Sequence, residues 1–275
     1  MTAKRKSAVL GLVLALIAGA SAAHGAGSVR LEDFTWTELK AAIDSGTTTI
    51  IVPIGGTEQS GPAMALGKHN GRVEILAAKI AEALGHTLVA PVVAYVPEGN
   101  IDPPTGHMAF PGTITIGDAT FKALLESAAA SFRHAGFTTI VLIGDHGGYQ
   151  ADLTAVADTL NKKWQKSPAR VFADRNYYDI TEQGYVQALL AAGVKQGELG
   201  THAGLADTSL TLALAPDLVR ADELAKGSSF TAKDGVYGGD PTRSTAALGQ
   251  LGVDLIVAGT VEDIQHFIAQ QTTHK

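Results

Sequence analysis

Apolar residues follow two alternating rhythms along this chain. Residues 47–54 (TTTIIVPI) form a β-branched run closed by Gly55 and Gly56, and 87–95 and 138–143 (TTIVLI) repeat that signal. Each is predicted to be a buried strand, and 171–173 a fourth, short one. Between these runs the period lengthens to that of a helix. In 71–84, Val73, Leu76, Ala77, Ile80 and Leu84 share one face, and Gly85 follows as a stop. In 118–135, Phe121, Leu124, Leu125, Ala128 and Phe132 do the same ahead of Gly136. Residues 31–39 read as a short opening helix, 151–164 as a longer one, and 207–214 as another. Strands that alternate with helices predict an α/β fold, three-layered α/β/α, with a mostly parallel central sheet covered on both faces.

The first residues follow neither rhythm. Lys4, Arg5 and Lys6 precede an uninterrupted apolar run, 8–18 (AVLGLVLALIA), and small residues follow. That order predicts a signal peptide over 1–23, cut near Ala22 or Ala23, and a periplasmic or secreted product. An uncleaved anchor is the other reading, but the run falls short of the about 20 apolar residues that span a bilayer. The remainder, 24–275, suits a single domain. Without the leader, 18 basic residues face 27 acidic ones, a formal charge of −9 against −6 for the whole chain. A chain that acidic is a poor partner for nucleic acid. No later run is long and apolar enough for a membrane span. There is no cysteine, so neither a disulfide nor a thiolate is available, and any metal must take His, Asp or Glu.

In parallel sheets, ligands bind beyond the carboxyl ends of the strands. This chain places unusual polar residues there: Glu58 and Gln59 after the first strand, Asp145 and His146 after the third. Glu58 and His146 are therefore expected to converge in one crevice. Four segments stand out around them: 55–70 (GGTEQSGPAMALGKHN), 107–115 (HMAFPGTIT), 144–148 (GDHGG) and 202–209 (HAGLADTS). No Walker loop, G-x-G-x-x-G turn or G-x-S-x-G elbow is present, which sets aside Ser60 as a serine nucleophile.

Taken in order, GTEQ-x-GP, FPGT, the G-x-H-G-G turn and HAG…TS resemble the creatininase (creatinine amidohydrolase) family from about Ile51 to Pro241. The resemblance implies a creatininase-like layered fold, divalent metals, hydrolysis of cyclic or linear amides and a homo-oligomer. It puts the family's first metal-binding Glu on Glu58, a following His on Ser60, a bridging Asp on His69, the next ligand His on His146 and a further carboxylate on Gly148. The HAG histidine falls on His202 and a late Glu on Asp207.

These departures are coherent. A neutral imidazole offers one lone pair at a time, so His69 cannot bridge two ions as an Asp does. Ser60 and Gly148 remove further ligands. What the resemblance leaves is Glu58, His69 and His146, a set that suits one divalent ion, Zn²⁺ foremost, with Mn²⁺ or Fe²⁺ also accepted. His202 is the expected proton-transfer group, His107 a donor to the developing oxyanion, and Asp207 a further member of the catalytic set that also suits a scaffold role. Asp145 would orient a ligand histidine from behind. The reading is a metal-dependent hydrolase that uses an activated water on a small cyclic amide or lactone. The alternatives are a non-catalytic periplasmic metal- or ligand-binding member of the same fold, and iron-dependent oxygen chemistry.

Overall fold

The structure is a computed structural model that describes residues 27–273. The leader expected over 1–23 lies outside the described residues. The apolar runs pair as one parallel sheet: β1 (Thr49–Ile54), β2 (Thr87–Val89), β3 (Thr139–Gly144) and β4 (Arg170–Ala173), in the order β2-β1-β3-β4. β1 and β3 run in register from Thr49 opposite Thr139 to Ile54 opposite Gly144, and both are buried throughout. A strand covered on both faces has no polar side to show. The second run stops as a strand at Val89, short of the expected residue 95. Pro91 has no N–H for the ladder, and the chain rejoins the sheet only at one bridge, Val93 with Ile54.

Helix α1 (Trp36–Asp44) leads into β1, and α2 (Lys68–Leu84), α3 (Asp118–Ala135) and α4 (Gln150–Lys163) connect the strands. α1 starts later than the pattern implied. Thr35 and Glu38 form a capping box that fixes its first turn, and only a 3-10 turn occupies Leu31–Asp33. Beyond β4 come α5 (Arg175–Asp179), one π-helical turn at Ile180–Gly184, α6 (Tyr185–Ala191), α7 (Gln196–Leu199), α8 (Leu205–Leu214), α9 (Ala221–Leu224) and α10 (Ala246–Thr273).

The alternation of β1 and β3 divides the core in two. Ile50, Val52, Ile140 and Leu142 pack with Phe121, Leu125, Leu153 and Val156 of α3 and α4. Ile51, Val141 and Ile143 pack with Val73, Leu76 and Ile80 of α2 and with residues of α6, α8 and α10. The result is the expected three-layer α/β/α arrangement. α10 lies close on α8 because Gly249 allows it: a Cβ there would stand 1.9 Å from the Ser209 carbonyl oxygen. No helix among the described residues is long and apolar enough to cross a membrane.

Asp174, at the mouth of α5, is buried. Its Oδ1 accepts a hydrogen bond from the Tyr177 N–H, and its Oδ2 has no partner. Burial, with the Asp263 carboxylate nearby, pushes its pKa from 3.8 up to about 7. The folded chain therefore holds a proton between those values that the unfolded chain releases, and stability falls as pH rises through that window. We expect the drop to amount to a few kcal/mol and to flatten in Asp174→Asn, as read by urea unfolding from pH 4 to 8.

Candidate active site

The order β2-β1-β3-β4 means the chain leaves β1 toward one side and β3 toward the other. A crevice opens at such a reversal, beyond the strand tips. The tips are tied together by Tyr149. Its hydroxyl reaches the carbonyl oxygens of Ile54 (2.8 Å) and Gly55 (2.6 Å) and accepts the His146 N–H (3.1 Å). Gly55 is required where the β1 loop meets α2, since a Cβ would lie 2.2 Å from Asn70 Oδ1. Asn70 Oδ1 in turn accepts the Gly56 N–H (2.9 Å).

Glu58 is fully buried at the centre of this crevice. Its Oε1 accepts from His69 Nε2 (2.8 Å) and lies 3.5 Å from Lys68 Nζ and 3.6 Å from His202 Nδ1. Its Oε2 lies 3.1 Å from His107 Nε2 and 3.5 Å from His146 Nε2, yet accepts no hydrogen bond. Close nitrogens that are not aligned on the oxygen are what ligands aimed at a common third point look like. Glu98 approaches from the loop after β2. Both of its oxygens are buried without partners, and Oε2 lies 3.6 Å from His146 Nε2. Burial raises the Glu58 carboxyl, but His69 and Lys68 outweigh it and hold it well below the usual carboxylate range. Burial, then the Glu58 charge, pushes Glu98 up to about 9.

An ionic frame stands behind Glu58. Lys68 and Arg72, one turn apart on α2, share Asp207: Lys68 Nζ binds Oδ2 and Arg72 binds Oδ1. Arg72 also donates to Asp145 Oδ2 through Nε (3.0 Å) and a second guanidinium nitrogen (2.6 Å). Asp145 completes its shell with His69 Nδ1–H (2.6 Å) and the Tyr177 hydroxyl (3.0 Å). Burial opposes the ionisation of Asp145 and Asp207, and the cations beside them overcome it, so both stay charged. Ala203, in the left-handed region at φ 56, donates its N–H to Asp207 Oδ2 and so fixes the turn that carries His202.

The donor set fits a cation. Two groups converge closely enough to hold one, Glu58 with His107 and His202, and Glu58 with Glu98 and His146. Three buried carboxylate oxygens without partners require either protons or a positive ion. The expected trio of Glu58, His69 and His146 is not gathered at one point. His69 lies instead between two carboxylates, Nδ1 on Asp145 and Nε2 aligned on Glu58, and links them. Asp207 is also corrected: Lys68, Arg72 and the Ala203 N–H occupy both its oxygens, which leaves it no part as a base. His107 is held by Gln59, whose Nε2 donates to its Nδ1 (3.0 Å) while Gln59 Oε1 accepts from the Gly61 N–H (3.0 Å). His202 Nε2–H donates to the Gln59 carbonyl (2.9 Å), which turns the Nδ1 lone pair toward Glu58. Burial, then the Lys68 charge, pulls His202 down to about 3, so its ring is neutral.

Lys68 and Arg72 were not legible as site residues, and Glu98 was legible only as part of a polar loop, 98–104, that helps enclose a substrate. One signal was present for Lys68: a positive charge in the first turn of a helix opposes its dipole, and so implies a specific acidic partner. His107, His146, His202, Lys68 and Tyr237 line one side of a cavity of about 250 Å³, and Tyr178, Glu182 and Tyr185, from α5 through the π-helical turn to α6, line the other.

Comparison with known proteins shows the family and the fold. The family profile described as creatinine amidohydrolase matches residues 32–264. The mycofactocin precursor peptide peptidase of Mycolicibacterium smegmatis is 28% identical over 251 residues, 84% of this chain and 90% of its own. The creatinine amidohydrolase of Pseudomonas putida is 26% identical, over 80% of this chain and 85% of its own. A solved creatininase structure described as holding Mn superposes with a TM-score of 0.71 at 22% identity, over 87% of this chain and 98% of that one. At that identity the superposition shows a shared fold.

Removing Arg72 would strand Asp145 and half of Asp207. Arg72→Met is expected to cost about 3–5 kcal/mol, the usual price of leaving a buried charge unpaired, measured by chemical denaturation.

Proposed function

The chain belongs to the creatininase family, hydrolases of C–N bonds, and on that premise we propose that it is a metal-dependent hydrolase that opens a small cyclic amide with water activated by one divalent ion. The observation that carries the metal is the set of buried, unpartnered oxygens on Glu58 and Glu98 beside His146. Glu58, Glu98 and His146 would hold the ion, and His146 also lines the cavity. Ligation through His146 Nε2 would put the ring proton on Nδ1, so the present bond from the Gly148 N–H to Nδ1 (3.1 Å) would be given up. Two carboxylates and one imidazole suit Zn²⁺ and, being oxygen-rich, Mn²⁺ equally.

A bound ion of this kind lowers the pKa of a water and polarises a carbonyl. His202 moves the protons. Its Nδ1 accepts the proton of the attacking water and returns it to the leaving nitrogen as the C–N bond breaks, which yields a carboxylic acid and an amine. The fixed tautomer of His202 keeps that nitrogen in place throughout. A cavity of about 250 Å³ favours a ring of a few heavy atoms. The similarity to a peptide peptidase supports the end of a short peptide as a second substrate class. Export through the leader and self-association belong to the same proposal.

Metal analysis of the purified protein is expected to give one equivalent in the wild type and in His69→Ala, and none in Glu58→Gln or Glu98→Gln. His202→Ala should keep the ion while kcat falls by about 10²–10⁴. A wild type that takes up no metal on titration would overturn the reading.

A further inference from the structure

The hydrolysis just described gives no work to Lys68, although Lys68 touches the central carboxylate. Its side chain is 1% exposed, and its ammonium lies 3.5 Å from Glu58 Oε1 and on Asp207 Oδ2. It occupies the first turn of α2, where the helix dipole disfavours a positive charge. Burial there is costly unless the charge is matched, and Glu58 and Asp207 match it. The two sides of Glu58 thus differ. Oε2 faces His107, Glu98 and His146 and has no hydrogen bond, whereas Oε1 accepts from His69 Nε2 and faces Lys68, with His202 Nδ1 3.6 Å away. The ammonium is held by two carboxylate oxygens, Glu58 Oε1 and Asp207 Oδ2, on the side of Glu58 where the His202 lone pair also lies.

We infer that the Lys68 ammonium is a tethered cation that fills the Oε1 side of Glu58 and limits this site to one divalent ion. The inference rests on the metal reading of Glu58 above. With Lys68 present, a second ion beside Oε1 would meet a fixed positive charge within contact distance. Without Lys68, Glu58 and Asp207 lose the cation they share, and the space beside Oε1 opens to an oxygen-preferring divalent cation.

The test is Mn²⁺ titration of metal-stripped protein, followed by native mass spectrometry and electron paramagnetic resonance. The wild type, Lys68→Ala, Lys68→Gln and Lys68→Arg are compared. The wild type and Lys68→Arg should saturate at one ion. Lys68→Ala should take a second ion at a concentration at least tenfold below any second uptake by the wild type, with a spin-coupled signal from the pair. Lys68→Gln keeps the stem without the charge and covers the case in which the alanine variant fails to fold. Folded neutral variants that still saturate at one ion would overturn the inference and leave the metal reading standing. Two ions in the wild type would also overturn it. No ion in the wild type would overturn the metal reading itself, and the inference with it.

Discussion

The site depends on two cations, one turn apart, at the start of one helix. Arg72 joins α2 to the tip of β3 through Asp145 and to α8 through Asp207, and Lys68 joins the same Asp207 to Glu58. Three segments far apart in sequence are thereby held at fixed distances. Buried ion pairs of this kind add little net stability against apolar packing of the same volume, because desolvation consumes most of the attraction. Their effect is positional. They keep Asp145 and Asp207 ionised in a dry interior, place His69 between Asp145 and Glu58, and fix the turn at Ala203 that presents His202.

Much of the fold was legible because burial on both faces of a sheet imposes a local pattern. The β-branched runs of β1 and β3 and the stripe of Phe121, Leu125 and Phe132 on α3 need no knowledge of partners. The position of Glu58 and His146 was legible for a related reason, since strand ends in a parallel sheet are where ligands bind. Pairing was not legible. Whether His69 faces an ion or a carboxylate depends on Asp145, which the fold supplies. Lys68 and Arg72 look in sequence like any solvated charges, and Glu98 looks like part of a polar loop. The long α10 carries apolar residues around its whole circumference and a glycine at 249 where it meets α8, so no single stripe announces it.

The family's fold persists here at low identity. Glu58, His146 and His202 stand together in one crevice. Ser60 carries a buried hydroxyl without a partner, Gly148 brings no carboxylate, and Lys68 places a charge 3.5 Å from Glu58. These features together set how much positive charge the central carboxylate can accept.

The hydroxyl of Tyr149 binds the tips of β1 and β3 into one rigid floor, with the His146 amide on one side and the Ile54 and Gly55 carbonyls on the other. A crevice with such a floor cannot widen by spreading its strands. The wall that Tyr178 and Glu182 contribute is built differently, around an irregular helical turn that lies outside the sheet. A substitution there can reshape the cavity without moving the floor that holds His146.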